Sequence, residues 1–164
     1  MNTLIAYASK YGSTKACVEK IAKRMPGSVH IIDVAQKESV DFSAYDTVIL
    51  GTAVYMGKPM KEMKAFIKRN QKDLLNKKLG LFLCGIQDMD KQVSQQFEVS
   101  YPSDLRKHAA VLAMLGGTVA YAKLQKMDAF IMKMIASNLA KAEGVLSTIS
   151  DERIDQLVQL MKEA

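Results

Sequence analysis

The stretch IAYASKYGSTKACVEKI, residues 5–21, decides the fold because it joins a buried strand to an amphipathic helix through a hydroxyl-rich loop. The run TLIAYA, residues 3–8, is almost continuously apolar, which is typical of a parallel strand covered on both faces. After the loop, residues suited to burial recur at helical spacing: Thr14, Cys17, Val18, Ile21 and Met25. Pro26-Gly27 then ends the predicted helix.

The loop between this strand and helix, SKYGST, has the composition of an anion site. Backbone N–H groups at the N-terminus of a helix bind anions, and Ser9, Ser13 and Thr14 add hydroxyl donors. Gly12 allows the chain to wrap closely with positive φ, while Lys10 either adds charge or points to solvent. The patterns G-x-x-x-x-G-K-[ST] and G-x-G-x-x-G are absent, so a terminal monophosphate fits better than a nucleoside triphosphate or a dinucleotide.

The rest of the sequence alternates apolar strands with amphipathic helices. Further strands are predicted at residues 28–34, 47–53, 79–84 and 110–121, the last interrupted or extended at Gly116-Gly117. Further helices are predicted from Pro59, which can open a helix at its first turn, within 85–96, after Pro102, at 127–141 and from residue 151, where Ser150 can cap the helix. This order predicts an α/β fold with a five-stranded parallel sheet, helices on both faces and right-handed crossovers. Without repeats or linkers, residues 1–164 are expected to form one domain.

Composition indicates an ordinary globular protein, with 49% apolar and 24% charged residues among 164. No apolar run approaches the roughly 18 residues that span a bilayer, and the N-terminus has no signal-peptide pattern, so a cytoplasmic location is expected. Cys17 and Cys84 are far apart in sequence and are interpreted as buried, reduced thiols. Two histidines and two scattered cysteines predict no metal site.

Charge is the more informative feature, because the net charge is +6. Residues 58–78 contain eight Lys or Arg and only two acidic residues, Glu62 and Asp73, so the net charge of this stretch equals the +6 of the whole chain. A basic face attracts phosphate, a membrane surface or an acidic small molecule, although it can also be a solvated helix face. No nucleic-acid partner is expected, and the oligomeric state stays open.

SKYGST resembles the T/S-x-T-G-x-T phosphate loop of the flavodoxin family, with Tyr11 replacing the middle threonine. VILGTAVYMGKP looks like that family's second flavin loop, and FLCGIQDMD occupies the place of its third. The resemblance implies a three-layer α/β/α sandwich with strand order 2-1-3-4-5 and bound FMN. The implied cofactor-binding residues are Ser9, Lys10, Tyr11, Gly12, Ser13, Thr14, Ala53, Val54, Tyr55, Met56, Gly57, Cys84, Gly85, Ile86, Gln87, Asp88 and Met89.

In the flavodoxin family the second loop places a peptide beside the flavin N5, and a glycine lets that peptide turn over on reduction. Gly57 matches this glycine, although it could simply end the strand. Tyr55 and Met56 can stack on the flavin, or either can be a core residue.

The third loop lacks the aromatic residue that often covers the outer flavin face in flavodoxins. Ile86, Gln87 or Met89 would have to cover that face, or it is open to a substrate. No catalytic side chain is predicted, because a bound flavin performs the electron chemistry itself.

Residues 116–141 resemble the corresponding stretch of the menaquinone-dependent protoporphyrinogen oxidase branch. The matching positions are Gly117, Tyr121, Asp128, Phe130, Lys133 and Ile135. With the basic charge, this favours a quinone-linked FMN oxidoreductase acting on an anionic small molecule, with at most peripheral membrane contact. The alternative is a soluble one-electron carrier between redox partner proteins.

Overall fold

The computed structural model describes residues 1–36, 39–85, 90–120 and 145–164. The strands are β1 (Asn2–Ala8), β2 (Ser28–Asp33), β3 (Thr47–Tyr55), β4 (Lys58–Pro59), β5 (Lys78–Cys84), β6 (Val111–Met114), β7 (Thr118–Ala120) and β8 (Val145–Ser147). The helices are α1 (Ser13–Arg24), α2 (Lys61–Leu74), α3 (Asp90–Ser100), α4 (Ser103–His108) and α5 (Asp151–Glu163), with a 3-10 turn at Phe42–Ala44.

Five parallel strands form the main sheet in the order β2-β1-β3-β5-β6. Because β4 is only a short antiparallel addition to β3, this is the predicted order 2-1-3-4-5, and the fold prediction is confirmed. Ala8 lies opposite Thr52, and Ala53 lies opposite Cys84. The carboxyl ends of β1, β3 and β5 therefore meet at one edge of the sheet.

The strands are apolar throughout because each one contributes to two cores. In β1, Leu4 and Ala6 pack in the cluster that contains the buried side of α2, whereas Ile5 and Tyr7 pack in the cluster of α1 and α5. Phe82 of β5 belongs to this second cluster, while its chain neighbours belong to the first. Alternation across the pleat thus gives helices on both faces of the sheet.

The ends of two helices test the sequence predictions directly. Ser150 caps α5 as predicted, since its hydroxyl accepts a hydrogen bond from the Arg153 N–H at 3.2 Å. The prediction that Pro59 opens a helix is wrong, because Pro59 lies in β4 opposite Val54 and α2 begins at Lys61. Proline lacks the N–H of a ladder donor, so it is compatible with this short edge strand.

The predicted single strand over residues 110–121 is divided into two strands. The chain leaves the main sheet after Met114 through Gly116, which has φ +84°, and β7 then pairs antiparallel with β8. Thr148 returns the chain to this point, because its N–H donates to the Gly117 carbonyl at 2.7 Å. The interruption lies at Gly116-Gly117, one of the two alternatives left open by the sequence, but a continuous apolar pattern does not reveal the change of partner strand.

The predicted helix over residues 127–141 lies outside the described residues. Within the parts of the chain that are described, none of the helices combines the length and apolar character needed to cross a membrane.

Tyr101 joins the α3–α4 connection to the centre of the sheet. Its ring is fully buried, and its hydroxyl donates to the carbonyls of Phe82 at 2.7 Å and Leu50 at 3.2 Å. The single hydroxyl proton is thus shared between two buried carbonyl oxygens on neighbouring strands, with the shorter contact to Phe82.

We expect Tyr101→Phe to lower the free energy of unfolding by about 1–2 kcal/mol, because both carbonyls lose a buried donor. Urea denaturation measures the change. Tyr45→Phe is the matched control, since the Tyr45 hydroxyl contacts His30 in an exposed position and its loss should cost less than about 0.5 kcal/mol. Equal losses for the two variants would contradict this assignment.

Candidate cofactor-binding site

Three loops follow the carboxyl ends of β1, β3 and β5, which lie side by side. We call residues 9–14 the first loop, residues 53–57 the second loop and residues 84–89 the third loop. In an open parallel sheet, this edge is where ligands bind, at the point where the strand order reverses. Here β1 connects outward to β2, whereas β3 connects in the opposite direction to β5, so the reversal falls between the first two loops.

Helix α1 begins without a capping side chain. Gly12 is its N-cap residue, with φ +93°, and no acidic residue occupies the first turn. The N-terminus of α5, by contrast, has a Ser150 cap and two acidic residues. The first-turn N–H groups of α1 have no intrahelical acceptor, so the positive end of the helix dipole is left for an external anion.

The hydroxyl groups of the first loop are divided between structure and binding. Ser9 accepts the Gly12 N–H on its hydroxyl at 3.0 Å, which closes the loop. Thr14 is fully buried, and by hydrogen-bond geometry its hydroxyl has no partner among the described residues, although it lies close enough to the Cys84 thiol to lower the pKa of that thiol. A buried hydroxyl without a partner is unfavourable, and an acceptor bound at the start of α1 would satisfy it. The loop therefore fits a phosphate group.

The second loop ends in a tight hairpin. Tyr55 lies opposite Lys58, and the two residues between them, Met56 and Gly57, both have positive φ, at +50° and +73°. This is the backbone of a type I′ turn. A Cβ added to Gly57 would meet nothing within 4 Å, so glycine is favoured here by its φ and not by lack of space.

Met56 is the only residue other than glycine with positive φ among the described residues. Such a conformation is unfavourable for an unbranched side chain, and strain of this kind tends to be kept at functional sites. The Met56 side chain is 62% exposed. The side chain is therefore available to a ligand and does not fill the core.

Aromatic and cationic side chains join the first loop to the second. The Lys10 ammonium lies 3.6 Å from the centroid of the Tyr55 ring and 5.1 Å from that of Tyr11. The two rings are 6.1 Å apart and nearly perpendicular. Of the two residues expected to stack or to enter the core, Tyr55 is half-buried against the first loop and Met56 is exposed.

The third loop is described only at its start. The Cys84 side chain is buried and its thiol contacts Cys17, so the backbone and not the thiol faces the site. The Gly85 N–H donates to the Gly116 carbonyl at 3.1 Å, and a Cβ on Gly85 would lie 3.5 Å from the Val54 carbonyl oxygen. Four other predicted site residues lie outside the described residues: Ile86, Gln87, Asp88 and Met89.

Sequence reasoning missed two groups that position these loops. Buried Thr52 accepts the Met60 N–H at 3.2 Å, which fixes the chain just after the hairpin. Gly117 holds the return of the chain beside the third loop, since its N–H donates to the Thr148 hydroxyl at 3.1 Å. The presence of Thr52 inside an apolar strand was a sequence signal for the first group. The second group had no such signal, because Gly117 and Thr148 are 31 positions apart.

Comparison with known proteins gives the family. A family model described as flavodoxin domain matches residues 4–144. The chain belongs to the flavodoxin domain family. FMN, the cofactor expected from the sequence, is the one that this family supports. No curated protein sequence matches the chain.

Three solved flavodoxins show the same fold at low sequence identity. Two-electron reduced flavodoxin of Megasphaera elsdenii has a TM-score of 0.59 and 15% identity, with 99% of each chain covered. Oxidised flavodoxin 1 of Bacillus cereus has a TM-score of 0.58 and 18% identity, covering 99% of this chain and 96% of its own. The flavodoxin of Streptococcus pneumoniae TIGR4 has a TM-score of 0.57 and 19% identity, covering 99% of this chain and 97% of its own.

The hairpin geometry predicts opposite effects for its two central residues. Gly57→Ala should lower the free energy of unfolding by about 1 kcal/mol, because alanine is disfavoured at positive φ. Met56→Asn should raise it by a few tenths of a kcal/mol or more, because asparagine tolerates positive φ. Denaturant unfolding without added cofactor measures both. If Gly57→Ala raised the free energy of unfolding and Met56→Asn lowered it, the type I′ turn would be contradicted.

Proposed function

We propose that this chain is a cytoplasmic, FMN-binding redox protein that transfers single electrons between protein partners. The observation that carries the proposal is the start of α1, where uncapped N–H groups and the unpaired Thr14 hydroxyl meet at the edge of the sheet. Family membership supports FMN as the phosphate-bearing group, because a monophosphate matches a single-glycine loop.

Each loop has its own part in holding the cofactor. When bound, FMN supplies one- and two-electron chemistry at its ring system. Ser13, Thr14 and the first-turn N–H groups hold the phosphate. Met56 packs against the ring, and the Gly57 peptide offers its carbonyl or its N–H to the ring edge, because glycine accepts both backbone orientations.

The remaining proposed contacts complete the site. They come from the first loop's backbone, the end of β3 and the third loop: Ser9, Lys10, Tyr11, Gly12, Ala53, Val54, Tyr55, Cys84, Gly85, Ile86, Gln87, Asp88 and Met89.

The carrier is favoured over the quinone-linked oxidoreductase that the sequence first suggested. The family match and the three solved structures are all flavodoxins, and none of these comparisons supports the protoporphyrinogen oxidase branch. Most of the stretch that resembles that branch lies outside the described residues, namely residues 121–141 of 116–141. The net charge of +6 remains the one observation that favours an anionic substrate.

The same positive charge indicates which kind of protein partner a carrier of this sequence would bind. Lys58 and Lys61 are exposed beside the second loop, and Lys64, Lys68 and Lys72 continue the exposed face of α2. Complementary charge speeds association and selects partners. We therefore expect a redox partner with an acidic docking surface.

One experiment separates the two functions. Reduced protein is mixed with an oxidised acidic ferredoxin at two ionic strengths, and separately with a quinone and protoporphyrinogen. Rapid reoxidation by the ferredoxin that slows at high salt, without porphyrin formation, supports the carrier. Sustained porphyrin formation coupled to quinone reduction would establish the enzyme instead.

Removing the Thr14 hydroxyl should weaken FMN binding without weakening the fold. Thr14→Val keeps the shape but removes a donor to phosphate, so we expect the dissociation constant to rise roughly 10–100-fold. Fluorescence titration of the apoprotein measures it. Without FMN, the variant should be at least as stable as the original, because an unpaired buried hydroxyl is gone.

Thr47→Val is the matched control for this variant. Thr47 is also buried with an unpaired hydroxyl, but it lies at the first residue of β3, at the opposite end of the sheet. Thr47→Val should be at least as stable as the original protein, like Thr14→Val, but its affinity for FMN should be unchanged. A similar loss of affinity in both variants would contradict the role of Thr14.

The lysines beside the loops should raise the more negative one-electron reduction potential of the bound flavin. Removing a positive charge makes the anionic reduced form less stable, so Lys10→Gln and Lys58→Gln should each shift the more negative one-electron potential downward by about 20–50 mV at low salt. Spectroelectrochemical titration measures this, and the difference should shrink at high salt. Lys23→Gln, an exposed change in the last turn of α1, should have no effect. Equal shifts in all three would refute the local charge effect.

A further inference from the structure

The two cysteines of the chain lie in direct contact below the first loop. They are 67 residues apart in sequence, yet the Cys84 thiol donates to the Cys17 sulfur at 3.5 Å. Both are free thiols, with 0% and 1% of their surfaces exposed. A disulfide has an S–S distance of about 2.05 Å, so the two sulfurs need to approach by only roughly 1.5 Å.

We propose that Cys17 and Cys84 are an oxidative modification site, at which a hydroperoxide converts the two thiols into an intramolecular disulfide. The site lies between the two elements that carry the first and third loops. Cys17 is on the buried face of α1, one turn after Thr14, and Cys84 is the last residue of β5. The bond would therefore tie the phosphate-binding helix covalently to the strand that leads to Gly85.

The contact makes the two thiols chemically different. The hydrogen bond from Cys84 lowers the pKa of the Cys17 thiol; burial opposes this effect, and the nearby Lys20 ammonium acts in the same direction as the hydrogen bond. The same bond, together with burial, raises the pKa of Cys84 well above its usual value. Reaction with peroxide requires the thiolate, so Cys17 is the attacking sulfur and Cys84 the resolving one.

The reaction balances with a peroxide as the oxidant. The Cys17 thiolate attacks one peroxide oxygen, the O–O bond breaks, and the product is a sulfenic acid and water once the departing oxygen takes up a proton. The Cys84 sulfur then attacks the Cys17 sulfur, the S–S bond forms and the sulfenic oxygen leaves as a second water. The two thiols lose two electrons and two protons in total, and the peroxide is reduced.

This site does not depend on a bound flavin, so its test can fail or succeed independently of the proposed function. The full-length protein is exposed to hydrogen peroxide, denatured in an alkylating reagent and analysed by intact mass and peptide mapping. We expect both cysteines to escape alkylation, the mass to fall by two hydrogens, a Cys17–Cys84 peptide to appear, and dithiothreitol to restore both thiols. Two alkylated cysteines, oxygen-containing products alone, or dimers linked between chains would overturn the proposal.

Single variants test the division between the two sulfurs. In Cys84→Ala, Cys17 has no resolving partner, so a sulfenic-acid trap such as dimedone should label it. In Cys17→Ala, Cys84 should react at least about threefold more slowly, because burial still disfavours its thiolate after the Cys17 hydrogen bond is lost, whereas Lys20 favours the thiolate of Cys17. Equal labelling rates would contradict the assignment. Circular dichroism confirms that each variant is folded, and Cys→Ser versions of both provide a second pair if either alanine variant is not.

Discussion

The start of α1 is the constraint on which the rest of the site depends. A helix that begins at a left-handed glycine, without a capping side chain or an acidic first turn, has first-turn donors that no intrahelical carbonyl accepts. The buried Thr14 hydroxyl adds another donor at the same place. Because the ends of β1, β3 and β5 lie side by side and Cys17 contacts Cys84, the first turns of α1 lie beside the end of β5. An anion bound here is thereby placed beside the hairpin of Met56 and Gly57.

The strands and their order could be predicted from the sequence, because a strand that packs on two cores must be apolar at nearly every position. Leu4 and Ile5 show this directly, since they pack in different clusters. The loops at the end of β1 and β3 were also predictable, since serine, threonine and glycine have local conformational preferences. Both features depend on residues close together in the chain.

Contacts between distant residues could not be predicted in the same way. The approach of Lys10 to Tyr55 depends on the register of β1 against β3, and the contact of Cys17 with Cys84 depends on how α1 lies across the sheet. The exchange of partner strands after Met114 is invisible to periodicity, because β6 and β7 share one apolar pattern. Pro59 was misplaced for a related reason, since proline is compatible both with a first helical turn and with an edge strand.

The exposed positive charge of this chain contributes to function and not to the stability of the fold. The fold is that of flavodoxins, but the exposed lysines that begin beside the second loop and continue along α2 are cations that the core does not need. Charge on this face affects the encounter with partners and the stability of an anionic flavin, whereas the binding of the phosphate depends on α1. These two contributions can be separated, because salt screens the exposed lysines far more than the buried hydroxyl.

The most direct measurement is the affinity of the apoprotein for FMN compared with riboflavin, which carries the same ring system without the phosphate. Binding of the phosphate by the start of α1 predicts that FMN binds at least about 100-fold more tightly, because several charge-assisted hydrogen bonds are lost with riboflavin. Equal affinities for the two flavins would contradict the account.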